Sequence, residues 1–302
     1  MAEGQVKRLT RVIAIGNQKG GVAKTTNAVH IATALGELGR KCLIWDLDMN
    51  HGATLHFGIP SESFLGTFEV LIGEEQPQDV IITNEDEDVE LPENVHLIAA
   101  RRNLEKLDQA LVAKNKFLIT QDVLIEPLKN LYGLYDFIFL DTAPNATTPT
   151  IAAYKATELF ILSAMPDPFA IAGLNDALAD IQDAQRHGNR SLHLLGVILS
   201  GVDRRTRLAN TLNEYVEQIF SPDGKRSAKF KTTISRSTVI PQAQKQGKTL
   251  FQTHPTHIVT EQYRAIAIEI EERLAEASGE TGSLQSLKIK SMRSRKKVVK
   301  HG

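Results

Sequence analysis

A chain of 302 residues with 42% hydrophobic content is long enough to bury a sizeable core, as one large or two modest domains. A single cysteine, Cys42, rules out an internal disulfide and any iron–sulfur cluster or zinc cage built from this chain's own thiolates, and it fits a reducing compartment. The formal net charge of −1 hides an acid-rich body and a basic end, since residues 288–302 hold Lys288, Lys290, Arg293, Arg295, Lys296, Lys297 and Lys300 without one acid. No stretch approaches the ~20 apolar residues that span a bilayer, and no secretory segment precedes the first strand-like run, so the expected location is the cytoplasm.

Short apolar runs alternate with longer helical patterns. In chain order they are Val12–Ile15 followed by a helix from Thr25, then Cys42–Leu47, Val95–Ala99, Phe137–Leu140, Leu159–Ser163 with a helix from about Ala170, and Leu194–Ser200 with a helix near Leu208. That alternation predicts an α/β fold, a mostly parallel β-sheet with helices on both faces. Val12–Ile15 and Phe137–Leu140 are apolar on both sides, as central strands require. Asn84–Glu93, with Glu85, Asp86, Glu87, Asp88 and Glu90, reads as a solvated acidic loop, and Ile258–Glu276 has the apolar spacing of a closing helix. No internal repeat is visible. The simplest division is a domain over 1–278 and a flexible basic tail over 279–302, loosened by Gly279, Gly282 and Ser283. The nine histidines show no metal-ligand spacing, and Trp45, within a strand, reads as packing.

Three segments carry chemistry. Gly16–Thr26 lies between the first strand and the first helix, where glycines let backbone N–H groups and a helix N-terminus face an anion. Lys24 is placed to reach β- and γ-phosphates, Thr25 to offer its hydroxyl to Mg²⁺, and Thr26 to bond the α-phosphate. The ordinary pattern G-x-x-x-x-G-K-[ST] is not met, because Gln18 and Ala23 stand at its two glycine positions. Leu43–Asn50 carries Asp46 and Asp48 at the carboxyl end of a strand, on one face by period-two alternation, where open α/β sheets put their sites. Tyr135–Pro144 is an apolar strand ending in Asp141, an acid suited to holding Mg²⁺ through water.

Lys19-Gly20-Gly21-Val22-Ala23-Lys24-Thr25-Thr26 resembles the deviant Walker A motif of the ParA/MinD family. The resemblance implies a P-loop ATPase that binds ATP and Mg²⁺ through Lys19, Gly20, Gly21, Val22, Ala23, Lys24, Thr25 and Thr26. It also implies a homodimer in which Lys19 reaches the partner's nucleotide, making Lys19 and Lys24 catalytic. Leu43–Asn50 is similar to the family's D-x-D-P-Q segment with Met49-Asn50 replacing Pro-Gln, which gives Asp48 the task of orienting the attacking water and a place at the metal with Thr25 and Asp141. Asp141-Thr-Ala-Pro144, Met165–Leu174 and Ser200–Leu208 extend the likeness over roughly residues 10–275. At Thr232–Ser237 the family commonly has I-P-R, and Ser235 stands for the proline that packs near adenine.

By the same resemblance, Arg205, Lys225, Arg226, Lys229, Lys231 and Arg236 are candidates to grip DNA phosphates without reading sequence, which makes affinity salt-sensitive. The implied function is a partition ATPase, nucleoid-associated, that releases DNA when a ParB-like cargo adaptor stimulates hydrolysis. The alternative is a MinD-like membrane-surface protein anchored by the tail, whose Leu284, Leu287, Ile289, Met292, Val298 and Val299 form only a ragged apolar face. Cluster-carrying relatives need cysteines this chain lacks, and an ATP-dependent ligase needs a substrate site that no motif supplies.

Overall fold

Along the strand Arg11–Gly16 (β1), Val12 and Ala14 enter one hydrophobic core while Ile13 and Ile15 enter another. A strand buried on both sides must lie inside a sheet that is covered on both faces. In the computed structural model, which describes residues 9–114, 121–220 and 227–279, that sheet has seven strands. The others are Cys42–Asp46 (β2), Ile81–Ile82 (β3), Val95–Ile98 (β4), Phe137–Asp141 (β5), Leu159–Ala164 (β6) and His193–Leu199 (β7). Their order is β3-β4-β2-β5-β1-β6-β7, and every neighbouring pair is parallel except β3 with β4.

The helices are Lys24–Glu37 (α1), Gly52–His56 (α2), Thr67–Ile72 (α3), Leu107–Ala113 (α4), Ile125–Lys129 (α5), Thr148–Ala156 (α6), Ala170–Arg186 (α7), Arg207–Phe220 (α8), Val239–Lys245 (α9), Leu250–Thr253 (α10) and Ile258–Gly279 (α11). Residues of α3 to α8 enter the core with Val12 and Ala14, and those of α1, α2, α9, α10 and α11 enter the core with Ile13 and Ile15. In α8 the buried side chains are Ala209, Leu212, Val216 and Phe220, the three- and four-residue spacing of one helical face. α1 is different. It is buried nearly all round between the sheet and α11, and takes the polar Asn27, His30 and Thr33 inside with it.

The parallel α/β sheet with two covered faces is as the alternation implied, with strand ends moved by a residue or so. The short antiparallel edge strand β3 was not foreseen; two residues carry too little pattern to be read. Asn84–Glu93 forms no regular element and is mostly exposed. Gly279, read as the start of the tail, is the last residue of α11, and the tail over 280–302 lies outside the described residues. Among the described residues no helix is long and apolar enough to cross a membrane.

Candidate nucleotide-binding site

Parallel strands deliver their carboxyl ends to one edge of the sheet, and the loops leaving that edge share a crevice. Here the loops after β1, β2, β5, β6 and β7 all contribute to one cavity of about 570 Å³, through Gly20–Thr26, Asp48 with Asn50, Pro144, Met165, and Ser200 with Gly201. The segment 234–241 and Tyr263 of α11 complete its wall.

The loop between β1 and α1 is fixed by its neighbours. Asn17 donates from Nδ2 to the Ser163 carbonyl at 2.8 Å and accepts the Lys19 backbone N–H at 2.9 Å, while the Ser163 hydroxyl donates to the Val22 carbonyl. Ser163 of β6 thus holds both ends of the loop. Gly21 takes φ 72°, and a Cβ added at Gly20 or Gly21 would meet open space, so the loop backbone lies bare toward the cavity. Ala23, where the ordinary motif has glycine, also adopts a left-handed conformation at φ 67°. That conformation costs an L-residue roughly 1–2 kcal/mol. Lys24 is buried and donates from Nζ to the Lys19 carbonyl at 3.0 Å, curling the loop over its own lysine. Burial lowers the Lys24 pKa, and the carboxylates of Asp141 and Asp48 work against that shift.

Lys19 points elsewhere. Its ammonium forms a salt bridge with Asp167, in the loop between β6 and α7, and sits 5.6 Å from the ring centre of Phe169, which is 70% exposed.

The two aspartates at the carboxyl end of β2 differ in burial: alternation continues past the strand end, with Leu47 in the same core as Leu43 and Trp45, while Asp46 is fully buried and Asp48 only half-buried. Asp46 is fully buried, and its Oδ2 accepts the Thr54 backbone N–H at 2.9 Å and the Thr54 hydroxyl at 2.8 Å, anchoring α2. Burial pushes its pKa up to about 6. Asp48 lines the cavity, and its Oδ1 accepts the backbone and side-chain N–H groups of Asn50, which stands where the family has glutamine. Asp141 pairs in register with Ile15 on one side and Asp46 on the other, and is fully buried with its pKa raised by burial and by the Asp46 charge.

Neither carboxylate oxygen of Asp141 has a hydrogen-bond partner among the described residues, and the Thr25 hydroxyl and Lys24 are the neighbours that favour its charged form. A buried, unpaired carboxylate beside a threonine hydroxyl is a costly arrangement that a hard cation relieves. These oxygen donors therefore fit Mg²⁺. Among the described residues no cluster of three or more His, Cys, Asp or Glu is arranged to hold a metal, which suits an ion that completes its shell with phosphate oxygens and water. Thr25 is also closely packed, since a Cβ at Gly52 would come within 3.1 Å of Thr25 Oγ1.

At the far wall, Ile234–Ser237 runs beside the loop after β7, with the Val202 N–H on the Ile234 carbonyl at 2.9 Å and the Arg236 N–H on the Val202 carbonyl at 3.1 Å. Ser235 is held by Gln262, whose Nε2 donates to its hydroxyl at 2.8 Å. Arg236, expected on a DNA-facing surface, lines the cavity and is also exposed.

The expected basic run is not presented as one strip. Lys229 is only 11% exposed and is paired with Glu217 at 3.1 Å, because its chain runs against β7, so it is removed from that surface. Lys231 remains 81% exposed, and Arg205, 90% exposed, makes a two-pronged pair with Asp203 whose hydrogen bonds hold the Asp203 pKa at about 2. Lys225 and Arg226 lie outside the described residues.

A sequence profile described as an AAA domain matches residues 10–194. The chromosome-partitioning ATPase Soj of Thermus thermophilus is 31% identical over 88% of this chain and 98% of its own length. The chain belongs to the ParA/MinD family of P-loop ATPases. Two solved structures agree with this ParA/MinD chain in fold. The septum site-determining protein MinD from Pyrococcus horikoshii, complexed with Mg-ADP, superposes with a TM-score of 0.68 at 24% identity over 88% of this chain and 98% of that one. Cobyrinic acid a,c-diamide synthase from Mycobacterium smegmatis, with bound ATP analog and magnesium, gives 0.71 at 25% identity over 88% and 96%.

The motif reading named most of the loop residues that line the cavity but gave no role to several that hold them or close the wall. Asn17 and Asp167 lie inside quoted segments without an assigned role, and Asn27, Ser163 and Tyr263 carry no motif of their own. The one available signal was a polar residue closing an apolar strand, as Ser163 closes Leu159–Leu162.

Proposed function

We propose that the chain is a partition-type ATPase. Two copies dimerise around ATP, the dimer holds DNA without reading its sequence, and a ParB-like adaptor on a plasmid or chromosome stimulates hydrolysis and release. The protein then works in the cytoplasm, on the nucleoid. The observation that carries this reading is the attitude of Lys19, a phosphate-loop cation whose ammonium is turned to Asp167 and the exposed Phe169 ring. A lysine turned away from its own loop in this way can reach a second copy by exchanging Asp167 for that copy's phosphates. Positive charge delivered where a transferred phosphoryl group gains negative charge makes hydrolysis depend on assembly.

In this reading the backbone of Gly20–Thr26 and the ammonium of Lys24 bind the phosphates, and Asp48 orients the attacking water. Thr25, Asp48 and Asp141 would hold Mg²⁺, which would neutralise negative charge on the phosphates. Arg205, Lys231 and Arg236 supply phosphate contacts to DNA from the described residues, with Lys225 and Arg226 as further candidates. The likeness to Soj of Thermus thermophilus, a chromosome-partitioning ATPase, supports a replicon as cargo.

The test is binding of a nonspecific DNA duplex with ATP, with ADP and without nucleotide, at low and moderate salt, with anionic liposomes as competitor. Binding that needs ATP and falls steeply with salt is expected. Binding that ignores the nucleotide, or liposome binding without DNA binding, contradicts the proposal.

A further inference from the structure

Asn27 sits in the first turn of α1 and is fully buried. A buried carboxamide is costly unless its donors and acceptor are used. Its Nδ2 donates to the Ser163 hydroxyl at 2.8 Å. Its Oδ1 accepts two hydroxyl protons, from Ser200 at 3.1 Å and from Tyr263 at 2.9 Å. The Ser163 hydroxyl, with Asn27 as its donor, in turn donates to the Val22 carbonyl.

The three groups at the ends of this network face the same cavity. Val22 belongs to the phosphate loop, while Ser200 opens the loop after β7 and Tyr263 belongs to α11, on the cavity wall opposite that loop with Ser235, which we take as the base side. We infer that Asn27 is a positioning residue that ties the base side of the nucleotide cavity to the phosphate loop, so that the fit at one side sets the geometry at the other. The inference rests on the cavity being the nucleotide site.

The direction of each bond follows from donor chemistry. Val22 offers only a carbonyl, so Ser163 must donate to it and needs a donor of its own; Asn27 Nδ2 is that donor. With Nδ2 so committed, Oδ1 faces the two hydroxyls, which must donate. Removing either hydroxyl leaves Oδ1 less restrained and weakens the grip of Nδ2 on Ser163, although neither Ser200 nor Tyr263 touches the phosphate loop through these bonds. Bonded chains in a low-dielectric interior strengthen one another in this manner.

The experiment measures displacement of a fluorescent ADP analogue by ADP and by inorganic tripolyphosphate with Mg²⁺, which has no base to touch Tyr263 or Ser200. The proteins are wild type, Tyr263→Phe, Ser200→Ala, Asn27→Ala and the Asn27→Ala, Tyr263→Phe double variant, each checked for a folded thermal transition. Tyr263→Phe and Ser200→Ala are expected to weaken tripolyphosphate at least threefold. The double variant is expected to bind ADP within twofold of Asn27→Ala alone. Tripolyphosphate affinity unchanged by Tyr263→Phe and Ser200→Ala overturns the inference, as do single-variant losses on ADP that simply multiply in the double variant. Should Asn27→Ala fail to fold, the two hydroxyl variants decide the matter alone. Failure of the wild-type protein to bind the ADP analogue would instead overturn the nucleotide site itself.

Discussion

Lys19 and Asp167 form a salt bridge that joins the phosphate loop to the loop between β6 and α7. Both side chains are roughly a quarter exposed, so the pair is partly screened and contributes on the order of 1 kcal/mol. A lysine that must cross to a second copy first has to leave this partner. Asp167→Asn removes the competing charge, and ATP-dependent dimerisation is expected to strengthen severalfold at low salt, by about the factor that 1 kcal/mol represents. The dissociation constant of the dimer measured by sedimentation at two salt concentrations checks this; an unchanged or weaker dimer would show that Asp167 supports Lys19 instead of holding it back.

Asp48 and Asp46 are two residues apart and expected to behave differently. Asp48 faces the cavity with Asn50 as its side chain's only donor among the described residues, so Asp48→Ala is expected to leave ATP binding within a few-fold of wild type while lowering turnover by about 10²–10⁴, the usual range for losing a group that handles protons. Asp46→Ala strips Thr54 of its acceptor and is expected to lower stability by about 1–3 kcal/mol, visible in urea unfolding without nucleotide. Similar effects of the two variants on unfolding would refute the division of labour.

Ala23 carries strain that the glycine of the ordinary phosphate-loop pattern avoids. At φ 67° a glycine is freer than alanine, and the left-handed penalty of about 1–2 kcal/mol exceeds the ~0.5–1 kcal/mol that glycine costs in lost chain entropy. Ala23→Gly is therefore expected to raise the melting temperature slightly, by about 1–2 °C. A lower melting temperature for the variant would mean that Ala23 makes a contact worth more than its strain.

His30 gives the fold a definite acid sensitivity. Its Nδ1 donates to the Thr26 carbonyl at 2.8 Å and its Nε2 accepts the Leu250 N–H at 3.3 Å, so both nitrogens are committed in the neutral form, and burial lowers its pKa from 6.5 to about 4. Below 6.5 the unfolded chain takes up a proton that the folded chain refuses. The stability His30 contributes is thus complete above pH 6.5 and is lost as pH falls toward 4, at up to ~1.4 kcal/mol per pH unit. Asp46, whose folded pKa of about 6 lies above its ordinary 3.8, acts in the opposite sense over nearly the same window. The comparison must therefore be between wild type and His30→Gln, both of which retain Asp46. The wild-type advantage in urea unfolding is expected to shrink from pH 7 to pH 5; a constant difference would show that His30 titrates normally.

The sheet was legible because parallel strands buried on two faces are continuous apolar runs, as Val12–Ile15 and Phe137–Leu140 are. The loop proposed to bind phosphate was legible as a cavity wall because phosphate chemistry asks for residues such as Gly20, Gly21, Lys24 and Thr25 in one short stretch, and these four line the cavity together. Asp46 and Asp48 were only half legible: alternation pairs them at the end of β2, but no local pattern tells that Asp46 is fully buried against Thr54, eight residues on. Ser163 and Tyr263 are each bonded to Asn27, across 136 and 236 positions of sequence, and no local pattern encodes such a meeting. Lys229 shows the reverse case. A cation in a basic run looked exposed, and the pairing of its chain with Val197 in β7 put it against Glu217 instead.

Sedimentation velocity with ATP, on Asp48→Ala to prevent turnover and on the same protein also carrying Lys19→Ala, tests the switch most directly. Dimers in the first protein with ATP but not ADP, and monomers in the second, are the expected result. A single species that ignores both the nucleotide and Lys19 would contradict the dimer-coupled ATPase proposed for this chain.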